Sequence, residues 1–129
     1  MVRDLSKNNE LILETRNVTK QFKVSKNNIL TACDNINLSM YKGKTLGIVG
    51  ESGCGKSTTG RTILRLLEAT DGEILFEGKN IRKYSKAEMK KLREKMQIIF
   101  QDPFASLNPR MTVSEIIAEP LIIHKKCKN

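Results

Sequence analysis

The sequence has few of the residues that build metal centres, disulfide frameworks and base-stacking surfaces. Its 129 residues include three cysteines, one histidine, no tryptophan and an aromatic share of 5%. Cys33, Cys54 and Cys127 are widely spaced, and no CxxC pair or Cys/His cluster occurs. This pattern argues against a structural zinc site and a disulfide framework, so we expect no disulfide partner for these cysteines.

Long apolar runs are absent as well. No stretch approaches the roughly 18 uninterrupted apolar residues of a membrane-spanning helix. The polar start, residues 1–9, lacks the apolar segment of a signal peptide. A hydrophobic content of 39% fits one small globular domain or a piece of a larger one. We therefore expect a protein of the cytosol.

The charge is strongly of one sign, with a formal net charge of +9. Such a balance is typical of nucleic-acid-binding proteins. The basic residues are scattered, however, and only a modest cluster occurs at residues 124–129. Few aromatic side chains are present to stack on bases. We expect a solvated basic surface and no nucleic-acid partner.

Strand signals dominate the first part of the chain and alternate with helix signals in the rest. Segments rich in apolar and β-branched residues predict strands: 11–18, 19–24, 29–40 (one strand or two), 45–49, 72–78 and 97–100. The run at 45–49 has the short apolar character of a buried strand. The order predicts an α/β core with an antiparallel strand cluster at its N-terminal side.

Three helices are predicted. The first follows Gly55 and ends near Asp71, and the other two open with the capping-box patterns Ser85-Lys-Ala-Glu88 and Thr112-Val-Ser-Glu115. Pro120 should end or kink the last helix.

The most informative segment is Gly50-Glu-Ser-Gly-Cys-Gly-Lys-Ser57, which matches the phosphate-loop pattern G-x-x-x-x-G-K-[ST] at every position. Glycines allow the backbone to wrap round phosphates with its N–H groups inward. A lysine supplies a charge for the β- and γ-phosphates, a serine hydroxyl can ligate Mg²⁺, and the following helix directs its positive end at the anion. The candidate nucleotide-binding residues of this motif are Gly50, Glu51, Ser52, Gly53, Cys54, Gly55, Lys56 and Ser57.

The alternative for this segment is a glycine-rich turn with an incidental lysine. The context favours the phosphate loop, because the motif follows a predicted buried strand and opens a predicted helix. Cys54 lies inside the motif, where it is either a small residue filling a tight position or a reactive thiol whose alkylation blocks nucleotide binding.

Residues 50–58 and 98–113 together resemble the ATP-binding subunits of ABC transporters. The second stretch, with residues 117–121 after it, is especially similar to the oligopeptide and dipeptide importer branch, although nickel importers share much of this pattern. The resemblance covers nearly the whole chain. It implies an ABC-type P-loop NTPase half-domain of α/β class with an antiparallel β region (1–44), a P-loop core to the Q-loop (45–111) and the start of a helical region (112–129).

The resemblance also implies residue roles. Gln101 falls at the Q-loop glutamine, which contacts Mg²⁺ or the attacking water and lies where the ATPase meets its membrane partner. Phe22 falls at the aromatic that stacks on adenine, although it could equally be a strand core residue. Ser57 and Thr58 would hold Mg²⁺ and the α-phosphate. Lys56 and Gln101 are the expected catalytic residues, and Ser57 and Gln101 the expected magnesium ligands.

Some family elements do not occur. No LSGGQ-like signature appears, no apolar run ends in Asp-Glu, and His124 lies too early to be the switch histidine. Asp102 follows an apolar run but belongs to the Q-loop pattern, so it is not read as a Walker B aspartate. These differences imply a chain truncated before the signature and Walker B motifs, which binds ATP·Mg²⁺ with negligible turnover.

The resemblance implies a second ATP-binding subunit and transmembrane permease subunits as partners, on the inner face of the plasma membrane. Two other hypotheses stay open: a different P-loop enzyme such as a small kinase, and a non-catalytic nucleotide-binding or interaction fragment. The transported substrate is not revealed by the sequence. Apolar residues 116–123 lack an evident cover, which favours self-association.

Overall fold

The computed structural model describes residues 10–126. The polar start at residues 1–9 and Cys127, which enter the expectations above, lie outside the described residues. The chain forms two compact units, one ending at Tyr84 and one beginning at Ser85. The first unit contains β1 (Leu11–Lys23), β2 (Ile29–Tyr41), α1 (Lys56–Ile63), β3 (Asp71–Phe76), β4 (Lys79–Asn80) and a 3-10 turn (Ile81–Lys83). The second contains α2 (Lys86–Leu92), α3 (Pro103–Ser106) and α4 (Val113–Ile123).

The first unit is built on an antiparallel sheet with strand order β2-β1-β3-β4. β1 is central and pairs along its length with β2, from Leu11 opposite Tyr41 to Lys23 opposite Ile29. On its other side Thr15 lies opposite Ile74 of β3. The predicted antiparallel cluster is therefore confirmed, and it also takes in the strand that follows α1.

The two strands expected at 11–18 and 19–24 are one continuous strand, so the predicted break between them was wrong. The chain adjusts its register there instead, and Asn17 takes a positive φ of 51°. The Asn17 N–H donates to Oδ1 of Asn37 at 2.9 Å, which satisfies the backbone group at the irregularity. A bulge of this kind interrupts the ladder locally without ending the strand.

The core of the first unit is formed by buried residues of the sheet, of α1 and of the 3-10 turn. Val18, Ile74 and Ile81 are at most 1% exposed. Thr15 is also buried, and its hydroxyl donates to the Ile36 carbonyl at 3.1 Å and accepts from the Leu38 N–H at 2.9 Å. Helix α1 packs on β1 and β2, so the sheet supports the segment that opens this helix.

Two further predicted strands were wrong. Residues 45–49 and 97–100 form no strand, and Val49 and Ile99 are 94% and 97% exposed. A buried strand needs hydrogen-bonded neighbours for its backbone groups. Within residues 10–126, no strand pairs with either segment. These segments fail to form strands because they lack a pairing partner, although their apolar composition is typical of strands.

Helix α1 ends at Ile63, well before the predicted end near Asp71. Arg65 takes a positive φ of 51°, a conformation that cannot continue a right-handed helix. The Arg65 guanidinium then donates to the carbonyls of Ile81 and Tyr84 at 2.7 and 3.0 Å. The residues after α1 are thus held by side-chain hydrogen bonds across the first unit.

Both predicted capping boxes are present in the second unit. Ser85 and Glu88 cap α2, and Thr112 and Glu115 cap α4. Helix α4 runs through Pro120 and finishes at Ile123, so the proline does not end it. The helix leaves Ile117 and Leu121 exposed, as expected for that apolar segment. Among the helices of the described chain, none has both the length and the apolar character needed to cross a membrane.

Candidate phosphate-binding site

The loop at residues 50–57 depends on glycine at its turning points. Gly53 and Gly55 have φ values of 81° and 96°, in the left-handed region that side chains disfavour. Gly55 precedes α1 as its N-cap, and a Cβ there would lie 2.3 Å from the Ala32 carbonyl oxygen of β2. Glycine is therefore required at position 55 both by conformation and by the close approach of the sheet.

The Lys56 side chain folds back over the loop that precedes it. Its Nζ donates to the Gly50 carbonyl at 2.7 Å and to the Glu51 carbonyl, and it lies 3.5 Å from Sγ of Cys54. These contacts hold the Lys56 ammonium at the loop. The acceptors in the loop are uncharged carbonyl oxygens. Because hydrogen bonds to ionised acceptors are stronger than those to carbonyls, a phosphate oxygen could compete for this ammonium.

The start of α1 offers backbone donors to a ligand. Its first bond to a preceding carbonyl is Thr59 N–H to Gly55 at 2.8 Å. In the described chain the N–H groups of residues 55–58 have no acceptor, and the exposed Ser57 hydroxyl has no hydrogen-bond partner. The first turn contains no acidic residue. Free N–H groups, a helix N-terminus and Lys56 together suit an anion such as a phosphate.

Phe22 lies near the end of β1, opposite Leu30 of β2, and is half-buried. It belongs to the same unit as the phosphate loop. The Nζ atom of Lys20 lies 4.8 Å from the centre of the Phe22 ring. Phe22 is thus neither a fully buried core residue nor an isolated surface residue.

Gln101 belongs to the second unit, where it is exposed and follows the unpaired residues 97–100. Phe22 and the phosphate loop therefore belong to one unit, and Gln101 belongs to the other. Next to Gln101 in the chain, Oδ1 of Asp102 accepts a hydrogen bond from the Phe104 N–H at 2.9 Å. This contact stabilises the turn into α3, in keeping with a structural role for Asp102.

His124 forms part of an ion-pair cluster at the end of α4. Its Nδ1 lies 3.2 Å from Oε1 of Glu94, whose other oxygen lies 3.0 Å from Nζ of Lys126. Hydrogen bonding from the Lys126 ammonium is the main cause that lowers the pKa of Glu94. In the described part of the chain, no three or more His, Cys, Asp or Glu side chains converge as in a metal site.

The first unit also has an open surface depression of about 380 Å³. It contains none of the predicted site residues, and its lining residues are Gln21, Lys23, Lys26, Asn27, Ile29 and Thr70. The depression is therefore separate from the phosphate loop.

Sequence reasoning missed two features of the site. The close approach of the Ala32 carbonyl to Gly55 depends on strand register, which no local pattern encodes. The contact between Lys20 and Phe22 had a signal, because residues two apart on a strand share a face. That spacing could have suggested the pair before the structure was known.

The family profile described as ABC transporter matches residues 33–128. This range contains the phosphate loop and Gln101 but not Phe22. The oligopeptide transport ATP-binding protein OppF of Bacillus subtilis is 55% identical over 120 residues, covering 92% of this chain. OppF of Haemophilus influenzae is 49% identical over 129 residues, covering 94% of this chain. The chain spans 39% of the length of each of these relatives.

Solved structures of similar fold are ATP-binding cassettes. The dimeric structure of MJ0796, a bacterial ABC transporter cassette, is 31% identical with a TM-score of 0.75. A post-hydrolysis dimer of MJ0796 bound to ADP and Pi is 30% identical with a TM-score of 0.76. Each match covers 92% of this chain. The matched regions are 49% and 50% of the two cassette chains, respectively.

Proposed function

The chain belongs to the ABC transporter family, and from that premise we propose that it binds ATP·Mg²⁺ through residues 50–58. The observation that carries this proposal is the Lys56 ammonium held against the Gly50 and Glu51 carbonyls, beside the free N–H groups that open α1. The resemblance to a cassette that binds ADP and Pi supports the same conclusion.

Binding would proceed by an exchange of hydrogen-bond partners. The Lys56 ammonium would leave two neutral carbonyls for oxygens of the β- and γ-phosphates, which are stronger acceptors because they are charged. The N–H groups at residues 55–58 would surround the phosphates without prior rearrangement of their own bonds. The Ser57 hydroxyl would ligate Mg²⁺, and Thr58 would contact the α-phosphate. The metal ion would neutralise charge on the phosphates.

Phe22 and Gln101 complete the proposed assignments. Phe22, half-buried in the same unit as the loop, would stack on adenine. Gln101 would contact Mg²⁺ or the attacking water. These two assignments rest on the family resemblance.

Hydrolysis needs more groups than these residues supply. Phosphoryl transfer depends on positioning and on charge neutralisation at the γ-phosphate. The 129 residues include no signature motif and no apolar run ending in Asp-Glu. By themselves they are therefore expected to bind the nucleotide with negligible turnover.

In a full-length protein, we infer that this region energises oligopeptide import. The support is the name of relatives at 55% and 49% identity, both oligopeptide transport ATP-binding proteins. A second ATP-binding subunit would face the phosphate loop, as the dimeric cassette structures suggest. Permease subunits would bind the assembly at the inner face of the plasma membrane.

The test is a calorimetric titration of the chain with ATP·Mg²⁺. Lys56→Ala should weaken binding about tenfold or more, since hydrogen bonds to charged groups are worth about 1.5–3 kcal/mol. Lys83→Ala is the matched control, because Lys83 is an exposed lysine of the same unit. Equal affinity in all three proteins would overturn the proposal.

A further inference from the structure

Lys20 places its charge on an aromatic ring. Its Nζ lies 4.8 Å from the centre of the Phe22 ring, inside the roughly 6 Å range of cation–π interactions. The two residues are two positions apart on β1, so their side chains share a face of the strand. The contact therefore follows from the strand itself and needs no distortion of the chain.

Lys20 has no competing carboxylate in the described chain. The ion pairs among residues 10–126 involve other basic residues, so the ring is the group that the Lys20 charge approaches. Phe22 is half-buried, so part of this residue stays accessible to a ligand. The ammonium thus contributes to fixing the ring while the protein is free of ligand.

This pair lies on the part of the sheet that meets the phosphate loop. Lys20 pairs with Cys33 of β2, and the register shifts between Lys20 and Gln21. The residue before Cys33 is Ala32, whose carbonyl oxygen approaches Gly55 closely enough to exclude a Cβ. The loop therefore contacts β2, and the Lys20–Phe22 pair lies on β1, the strand that pairs with β2.

We infer that Lys20 is a positioning residue for the nucleobase: its ammonium covers one face of the Phe22 ring and leaves the opposite face for a purine. This inference rests on the proposed function, in which Phe22 stacks on the base of ATP. A ring already oriented in the free protein loses less freedom on binding. The stack also gains from a cation on the far side of the aromatic ring.

A lysine near a phosphate loop could act in a simpler way, by attracting the triphosphate through its charge. The two roles differ in what they require. Charge attraction acts on any polyphosphate and persists without an aromatic residue at position 22. Positioning acts only on ligands with a base and only while the Phe22 ring is present.

The experiment measures the dissociation constants of ATP·Mg²⁺ and of inorganic tripolyphosphate with Mg²⁺ by calorimetry. The variants are Lys20→Met, which removes the charge but keeps the length, and Lys20→Arg, which keeps a cation. Lys23→Met is the matched control, because Lys23 lies on β1 at the opposite parity and lines the separate depression. Lys20→Met is also made in a Phe22→Leu background.

We expect Lys20→Met to weaken ATP binding by up to about fivefold, because the contact already exists in the free protein and the full worth of an exposed cation–π pair is therefore an upper limit. Tripolyphosphate affinity should not change, Lys20→Arg and Lys23→Met should resemble the parent, and Lys20→Met should have no further effect when residue 22 is Leu. A loss shared by ATP and tripolyphosphate, an unchanged or tighter ATP affinity, or an undiminished loss in the Phe22→Leu background would each overturn the inference.

The parent protein separates the inference from the function on which it rests. If the parent binds ATP and tripolyphosphate with equal affinity, the phosphate loop binds as proposed but the base makes no contribution. The inference about Lys20 would then be overturned. Parent binding of neither ligand would overturn the proposed function, and the inference with it.

Discussion

Two apolar segments of the first unit, β1 and residues 45–49, differ in structure and in burial. Val18 of β1 is 1% exposed, whereas Val49 is 94% exposed. β1 has hydrogen-bonded strands on both sides, while residues 45–49 pair with none of the strands in the described chain. The comparison shows that an apolar run specifies a strand only where neighbouring strands can satisfy its backbone. The matched region is 39% of the length of the relatives, so longer proteins have further residues available for such pairing.

The largest effect is expected where β1 leaves no room for a side chain. Gly72 has a φ of 85°, and a Cβ there would lie 2.3 Å from the Asn17 carbonyl oxygen. Because backbone on both sides must shift, Gly72→Ala should lower the free energy of unfolding by about 3 kcal/mol or more. Urea unfolding followed by far-UV circular dichroism measures this change.

Gly78→Ala is the control for that substitution. Gly78 has a similar φ of 76°, but a Cβ at this position would meet no atom within 4 Å. It should cost only the conformational penalty of about 1 kcal/mol. Equal losses at positions 72 and 78 would show that the close approach of β1 to β3 contributes nothing.

A valine pair tests the comparison directly. Val18→Ala should destabilise the chain by about 2 kcal/mol, because it removes buried methyl groups from the core. Val49→Ala should change stability by less than about 0.5 kcal/mol, as is usual for an exposed position. The same urea titration serves both variants. A loss at Val49 as large as that at Val18 would mean that residues 45–49 are buried in solution.

The sequence predicted what is encoded locally. The capping boxes at Ser85 and Thr112 and the glycine-rich loop before α1 were predicted because each depends on residues close together in the chain. The antiparallel cluster was predicted from successive strand signals, but the pairing of β1 with β3 was not. The failures depend on distant groups. The strands predicted at 45–49 and 97–100 need partners that no local pattern supplies. Helix α1 ends just before Arg65, which takes a positive φ and donates to the Ile81 carbonyl.

The candidate site divides in the same way. The phosphate-loop motif gave Lys56 and Ser57 directly, since their spacing within one loop is fixed by the sequence. The reason for glycine at position 55 required the structure, because the Ala32 carbonyl that excludes a Cβ comes from another strand. The nucleotide-binding roles of Lys56 and Ser57 stay predictions, as do the roles of Phe22 and Gln101.

Two cysteines extend the comparison to reactivity. Cys54 in the loop is exposed, whereas Cys33 on β2 is buried. In a Cys127→Ser background, a thiol-alkylating reagent should modify Cys54 at least about tenfold faster than Cys33, whose reaction requires local opening. Mass spectrometry of digested samples measures both rates.

Alkylation of Cys54 should also block nucleotide binding, because Sγ lies 3.5 Å from Nζ of Lys56. Bound ATP·Mg²⁺ should protect the thiol. Equal modification rates with and without the nucleotide would contradict the placement of Cys54 in the binding loop.

The smallest effect is expected in the second unit, at the capping box that opens α2. The hydroxyl of Ser85, and then its backbone N–H, hold the pKa of Glu88 below its usual range, each donating to the carboxylate at 2.7 Å. A carboxyl whose pKa is lower in the folded state stabilises it above the usual pKa of about 4.3. That contribution is lost as the pH falls through this range toward the folded-state pKa.

Far-UV circular dichroism between pH 6 and pH 3 should therefore show a loss of helix that Glu88→Gln reduces. Glu119→Gln, at an exposed glutamate of α4, is the control, and identical acid profiles for the parent and Glu88→Gln would show that the cap at Ser85 does not order α2 in solution.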